Sequence, residues 1–262
     1  MIDNRKATGS RNPATAVRLR ILAPLLSGIF TASAPADTHV RPPEDVGVIG
    51  QVEYVGAHQD ETLLDIARDQ DIGQKEILVA NPGIDRWLPG KGTVITLPRR
   101  HVLPDARRNG LILNLPEMRL YYFPRRAKGV TPTVTTHPVS IGRMDWDTPL
   151  GTTRIVAKKV DPTWTPPQSL KEEALADGEV LPDIVPAGPD NPLGRYAMRL
   201  GVPGYLIHST NKPWGVGMRV THGCVRMYPE DIEQLFDRVP VGTPVQIINQ
   251  PVKLGWLADT LY

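Results

Sequence analysis

Two short stretches late in the chain carry the side chains best suited to covalent chemistry: Tyr205-Leu206-Ile207-His208-Ser209 and Thr221-His222-Gly223-Cys224-Val225-Arg226. Cys224 is the single cysteine of the sequence. A thiol attacks as its thiolate, and with an ordinary pKa near 8.5 it needs a neighbouring base to act at neutral pH. His208, sixteen residues upstream, is the candidate base, carried to the end of an apolar strand. Gly223 allows close backbone approach, and the amides of Gly223 and Cys224 are candidate donors to a developing oxyanion. Together these parts fit cysteine acyl transfer. Burial as a small apolar residue is the commoner fate of a free cysteine, but a setting between His222-Gly223 and Arg226 argues for reactivity.

His222 is read either as a second catalytic group or as a hydrogen-bonding residue that orients the turn. A zinc site built from His208, His222 and Cys224 lacks a fourth ligand, and its His-x-Cys spacing is tighter than zinc-finger spacings. His39, His58, His101 and His137 stand alone in the sequence and are assigned no function.

The elements that must position these residues are mostly strands. Leu111–Leu115 and Arg119–Phe123 flank Pro116-Glu117-Met118 as two strands around a turn. Further strands are expected at Thr133–Ile141, Thr152–Val160, Arg195–Leu200, Tyr205–His208 and Pro244–Ile248, with a tight turn at Thr148-Pro149-Leu150-Gly151. Residues 161–194 hold seven prolines and read as one long functional loop. A helix is expected from Pro229, with Ile232, Leu235, Phe236 and Val239 recurring at helical spacing.

Upstream lies a smaller unit. Val52, Tyr54 and Val55 suggest a strand, Leu63, Ile66 and Ala67 a helix, Lys75–Ala80 a second helix, Asn81-Pro82-Gly83 a turn, and Val94–Pro98 a closing strand. Residues 37–50 and 99–108 read as linkers, the latter with Arg99, Arg100, Arg107 and Arg108 forming a solvated face. Residues 251–262 form a tail.

Composition narrows the class. With 262 residues, 23 of them glycine and 27 proline, the chain is long enough for two domains and too punctuated for a helical bundle. Its net charge of +2 includes about +4 in the first twenty residues, from Arg5, Lys6, Arg11, Arg18 and Arg20 against Asp3. The remainder, near −2, argues against nucleic acid as a partner. That basic start precedes an apolar run at 21–30 and small residues at 32–36, the pattern of a secretory signal peptide over residues 1–36. A single cysteine rules out an internal disulfide in the oxidising compartment this implies. No later stretch is long enough to span a membrane.

The stretch Tyr54 to Pro98 resembles a LysM module, carried by Tyr54-Val55, Asp60-Glu61-Thr62-Leu63, Ile66-Ala67, Ala80-Asn81-Pro82-Gly83-Ile84, Pro89-Gly90 and Ile95–Pro98. The resemblance implies binding of N-acetylglucosamine-containing glycans, with Asp60, Thr62, Asn81, Pro82, Gly83 and Ile84 at the groove. Asp60 and Thr62 also read as helix caps, and Asn81 as a turn residue.

Residues 109–249 resemble the L,D-transpeptidase family. The match rests on His208, Thr221-His222-Gly223-Cys224 and Arg226. It extends to His137–Arg143, Thr148–Gly151, Pro162–Pro167 and Gly188–Gly194, and Arg226 with the proline-rich blocks looks like the periplasmic, Gram-negative branch. The resemblance implies a mainly β, β-sandwich-like catalytic domain with one or two helices, preceded by the small βααβ LysM domain. The expected divisions are 1–36, 37–50, 51–98, 99–108, 109–250 and 251–262.

It further implies a peptidoglycan stem peptide as acyl donor, with Cys224 as nucleophile and His208 as base. The Ser209 carbonyl would orient the imidazole. Arg226, Thr221, Tyr205 and Trp214 are the candidate substrate-binding residues, Thr221 also holding the turn. No metal or organic cofactor is expected. The expected partners are stem peptides and glycan strands, and an outer-membrane lipoprotein is one candidate acceptor. Carbapenems are expected to acylate Cys224. A papain-like cysteine peptidase or amidase is disfavoured because its cysteine precedes its histidine; L,D-carboxypeptidase activity, with water in place of the acceptor amine, is the alternative at the same site. A wall-binding protein with a relic site is disfavoured by the intact His-Gly-Cys block.

Overall fold

A computed structural model describes residues 37–143 and 148–262. The expected signal peptide lies outside the described residues. The chain opens with β1 (Asp37–Val40) and β2 (Val48–Ile49). There follow β3 (Glu53–Gly56), α1 (Leu63–Asp69), α2 (Gln74–Ala80) and β4 (Val94–Leu97), the expected βααβ order. Next come β5 (His101–Val102), β6 (Gly110–Asn114), β7 (Arg119–Phe123), β8 (Thr133–Pro138), β9 (Ile141–Gly142) and β10 (Gly151–Val160). After α3 (Gln168–Ala176) come β11 (Tyr196–Leu200), β12 (Leu206–His208), a 3-10 turn at Pro213–Gly215, β13 (Arg219–Thr221) and β14 (Val225–Arg226). The chain closes with α4 (Pro229–Arg238), β15 (Pro244–Ile248), β16 (Trp256–Leu257) and β17 (Thr260–Leu261).

Nine strands form one sheet in the order β1-β8-β7-β6-β15-β10-β11-β12-β14. Pairing is parallel at β6–β15 and β12–β14 and antiparallel elsewhere. One core gathers Leu111, Leu120 and Tyr122 from one side of that order and Met198, Ile207 and Val225 from the other. The sheet is therefore folded over a shared interior, with a register shift at Ile155/Ala157 in β10. Such an irregularity bends a strand sharply. Ile232, Leu235 and Phe236 of α4 fill the same interior, each buried side chain contributing about 1.5–3 kcal/mol.

The central strands β6 and β7 are buried on both faces. Leu111 and Leu113 face the interior with Leu120 and Tyr122, while Ile112, Tyr121 and Phe123 pack on a second cluster with Ile49, Leu103 and Val134. That second layer explains their unbroken apolar runs. It also corrects two expected linkers. Asp37–Val40 is an edge strand paired with β8, and β2 pairs with β5 as a ribbon at the seam.

The arginines of 99–108 are correspondingly divided. Arg99 donates to the Gln70 carbonyl at 2.8 Å, and Arg108 to the carbonyls of Pro43 (2.8 Å) and Val46 (2.9 Å), so these two are clamps, while Arg100 and Arg107 stay exposed. Lys253 reaches Glu117 (2.7 Å) from the tail, whose last residues pair as the β16–β17 hairpin.

The βααβ unit has its own core of Leu63, Ile66, Ile72, Ile77, Ile95 and Leu97. It is docked against the large sheet and not held on a flexible tether. Gln74 N–H donates to the Val216 carbonyl (2.9 Å), Tyr228 OH to the Ile72 carbonyl (3.0 Å), and Arg119 pairs with Glu76 (2.6 Å). Gly73 and Gly217 cross so closely that a Cβ on Gly217 would lie 2.5 Å from the Gly73 Cα.

Candidate active site

Parallel pairing of β12 with β14 sets His208 opposite Arg226, with Cys224 one residue before β14 begins. The turn before Cys224 is shaped by glycine. Gly223 has φ +96°, and a Cβ there would stand 2.7 Å from Tyr205 Cε1. Thr221, buried at the end of β13, donates its hydroxyl to the Cys224 carbonyl (2.6 Å). Thr148 donates to the Gly223 carbonyl (2.9 Å) and accepts from the Gly142 amide (3.3 Å). The backbone carrying the thiol is thus fixed from both sides. Among the described residues, the amides of Gly223 and Cys224 have no protein acceptor.

Cys224 is half-buried, and its thiol donates to the Gly204 carbonyl at 3.6 Å. Burial pushes its pKa above the ordinary value; a hydrogen bond from the Leu206 backbone and the charge of Arg226 pull the other way. His208 is buried, and its Nδ1 lies 2.6 Å from the Ser209 carbonyl. That bond places the ring proton on Nδ1 and leaves Nε2 as the basic nitrogen. Burial, then the nearby Arg226 charge, hold the imidazole pKa down to about 3. Thiol and imidazole are both neutral at rest, each bonded to a backbone carbonyl and not to the other.

Burial lowers the pKa of the half-buried Arg226, whose Nε has no partner among the described residues. Its backbone pairs with Ser140 in both directions, at 2.8 and 3.0 Å. Ser209 is buried, with Gly194 packed so tightly against it that a Cβ would meet the Ser209 Cβ at 2.6 Å. Tyr205 is half-buried against Gly223, whereas Trp214 is 64% exposed on the 3-10 turn.

His222 is bonded to a carboxylate. Its Nε2 lies 2.7 Å from Glu173 Oε2, and Arg143 donates to Glu173 Oε1 at 2.8 Å. Hydrogen bonds from Arg143 and then His222 keep the Glu173 carboxyl below its usual range. Glu173 belongs to α3, a helix inside the stretch expected to be one long loop. Helix-forming residues run from Gln168 to Ala176 without proline, a signal the flanking prolines masked. The rest of that stretch is gathered by buried Asn191, which donates to the carbonyls of Pro162 (2.8 Å) and Pro186 (3.0 Å) and accepts from the Leu193 amide (2.9 Å).

In the βααβ unit the candidate glycan residues divide. Thr62 caps α1, accepting from the Asp65 amide (3.1 Å) while Asp65 accepts from Thr62. Asn81 is buried, its amide group spent on the Ile77 and Thr96 carbonyls and the Thr96 amide. Its side chain is therefore a clamp between α2 and β4. Asp60, Pro82 and Gly83 are exposed and Ile84 half-buried.

Residues 108–247 match the YkuD family, the L,D-transpeptidase catalytic domain. The chain is 45% identical over 227 residues to the probable L,D-transpeptidase YbiS of Escherichia coli, covering 86% of this chain and 72% of that protein. It is 43% identical over 223 residues to the probable L,D-transpeptidase ErfK/SrfK of Salmonella typhimurium, covering 84% and 71%. Among solved structures, L,D-transpeptidase 3 of Mycobacterium tuberculosis is 18% identical, with 60% of this chain and 67% of that one aligned at a TM-score of 0.38. Since the family's domain spans more than half of the sequence and the enterobacterial relatives match across most of their own length, the chain belongs to the L,D-transpeptidase family.

Proposed function

We propose that this L,D-transpeptidase uses Cys224 as its nucleophile on the tetrapeptide stems of peptidoglycan, with His208 as the general base. The observation that carries this assignment is the backbone geometry around the thiol: a glycine turn fixed by Thr221 and Thr148, beside a histidine whose Nδ1 is held by Ser209. The thiol turns from the Gly204 carbonyl towards the imidazole, gives up its proton and adds to the carbonyl carbon of the diamino acid. The amides of Gly223 and Cys224 receive the oxyanion. His208 passes the proton to the leaving D-Ala amine, and a thioester remains. An acceptor amine then attacks the thioester, loses a proton to His208, and releases Cys224 as the thiol.

Arg226, with its unsatisfied Nε beside the nucleophile, positions the donor's carboxylate, and Tyr205 and Trp214 flank the stem. His222 holds the turn through Glu173. A neighbouring stem as acceptor gives a 3→3 cross-link, and a lipoprotein lysine gives attachment of the outer membrane. The βααβ unit binds glycan strands through the exposed surface of Asp60, Pro82, Gly83 and Ile84, with Thr62 and Asn81 shaping it. The enzyme works in the periplasm at the wall; no described helix is long and apolar enough to cross a membrane.

The test is mass spectrometry of purified protein with disaccharide-tetrapeptide, wild type beside Cys224→Ala. A cross-linked dimer lacking one D-Ala, absent in the variant, supports the assignment. Tripeptide alone indicates hydrolysis or a missing acceptor, and cysteine-independent product overturns it. Incubation with a carbapenem is expected to add one inhibitor mass at Cys224 alone.

A further inference from the structure

Where the βααβ unit meets the large sheet, three buried side chains converge from separate elements. Asp71 comes from the turn between α1 and α2, His137 from β8 and Asp231 from α4, and all three are under 5% exposed. One ligand atom from each lies within 4.8 Å of the others. His137 Nδ1 is 3.9 Å from Asp71 Oδ2 and 3.7 Å from Asp231 Oδ1.

Both His137 separations are too long for hydrogen bonds, whereas Asp71 and Asp231 lie within hydrogen-bonding reach of each other when one carboxyl is protonated. Both ring nitrogens of His137 have no partner among the described residues. Buried polar atoms are normally satisfied, and a buried imidazole with two bare nitrogens is costly. The cationic neighbour does not resolve this: Arg119 donates to Glu76 (2.6 Å) and Thr136 (3.0 Å). The Asp37 amide reaches Asp71 Oδ2 at only 3.4 Å.

We propose that Asp71, His137 and Asp231 bind a divalent transition-metal ion of the zinc class, which staples the βααβ unit to the catalytic domain. One imidazole and two carboxylates suit such an ion better than magnesium or calcium, which favour all-oxygen sets. Zinc sits about 2.0–2.2 Å from nitrogen and oxygen donors, so tetrahedral ligation asks for donors roughly 3.4 Å apart. The two His137–carboxylate distances exceed this by about 0.3–0.5 Å, a gap that side-chain rotation closes. The site is structural and is separate from Cys224.

Zinc titration of the chelator-treated full chain tests this, in a Cys224→Ser background that removes the one thiol. One equivalent bound, with a chelator-reversible rise in Tm, is the expected result. Binding at least tenfold weaker, with no rise in Tm, is expected for His137→Gln and Asp231→Asn. No stoichiometric binding by the folded parent, or undiminished binding by a folded variant, overturns the proposal. Should the variants not fold, anomalous scattering at the zinc edge from crystals of the zinc-treated protein decides: a peak among the three side chains supports the site, and zinc found only elsewhere refutes it.

Discussion

Replacing Gly223 by alanine tests whether backbone shape at the nucleophile is what makes this site work. Two costs arise together. The residue sits at φ +96°, where an L side chain is strained by about 1–2 kcal/mol or more. Its new Cβ would also stand 2.7 Å from Tyr205 Cε1, against an ordinary carbon–carbon contact of about 3.5–4.0 Å. The ring must retreat by roughly 0.8 Å or more, and overpacking of that kind costs about 1–3 kcal/mol.

A loss of about 2–5 kcal/mol leaves most domains folded, so the variant can be assayed. Part of the strain is relieved by moving the turn, and a shift of about 1 Å at a reacting atom costs on the order of 100-fold in rate. Denaturant unfolding and single-turnover acylation with a stem tetrapeptide measure both effects. Measured against Tyr205→Ala alone, which carries its own loss of packing, adding Gly223→Ala should cost only the strain of the unfavourable φ, about 1–2 kcal/mol. Wild-type stability and acylation in Gly223→Ala would refute the reasoning.

Glu173→Gln keeps the shape of the bridge between α3 and the turn but removes its charge; acylation should slow several-fold with Tm nearly unchanged, and an unaltered rate would detach His222 from the mechanism. With the His208 pKa held to about 3 by burial and Arg226, kcat/KM should show no acid limb near pH 6.5, and a limb there would count against the neutral pair. The same shift has a stability consequence: between about pH 6.5 and 3 the unfolded chain binds the proton that folded His208 refuses, so this contribution is lost as pH falls through that window, as stepwise denaturation across it should record. Because burial raises the Cys224 pKa, alkylation of the resting enzyme by iodoacetamide should be slow at pH 7 and climb into the alkaline range; rapid alkylation at pH 6 would indicate a preformed thiolate. Gly217→Ala puts a Cβ 2.4 Å from the Gln74 amide nitrogen at φ +88°, where only backbone can yield, and should lower unfolding free energy by about 3 kcal/mol.

The parts of this fold written in local periodicity were legible in the sequence. Ile232, Leu235 and Phe236 announced α4, and the apolar runs 111–115 and 119–123 announced β6 and β7. The proposed Cys224–His208 pair was picked out because thiol chemistry demands a base and a turn, and both lie within seventeen residues. What escaped was non-local. Asp37–Val40 has little strand character by itself and is ordered by pairing with β8. Arg99 and Arg108 looked like solvated charge because nothing local reveals the carbonyls they clamp. The α3 helix buries no residue, so it has no amphipathic stripe to read, and Glu173 was hidden with it. His137 looked solitary because Asp71 and Asp231 approach it from 66 and 94 residues away along the chain.

Docking of the βααβ unit changes how a glycan-binding module would serve this chemistry. On a flexible linker, a wall-binding unit raises the effective concentration of stems over a broad volume. Here the contact is direct and close to Cys224 in sequence. Val216 accepts from Gln74, Gly217 crosses Gly73, and β13 then runs from Arg219 to Thr221, whose hydroxyl fixes the Cys224 carbonyl. The segment that receives the small unit is thus the one that presents Cys224, the proposed nucleophile. On the proposed reading, a glycan held on that unit would meet Cys224 over a restricted range of distances and angles, and the docking would limit which stems along a strand can be acylated.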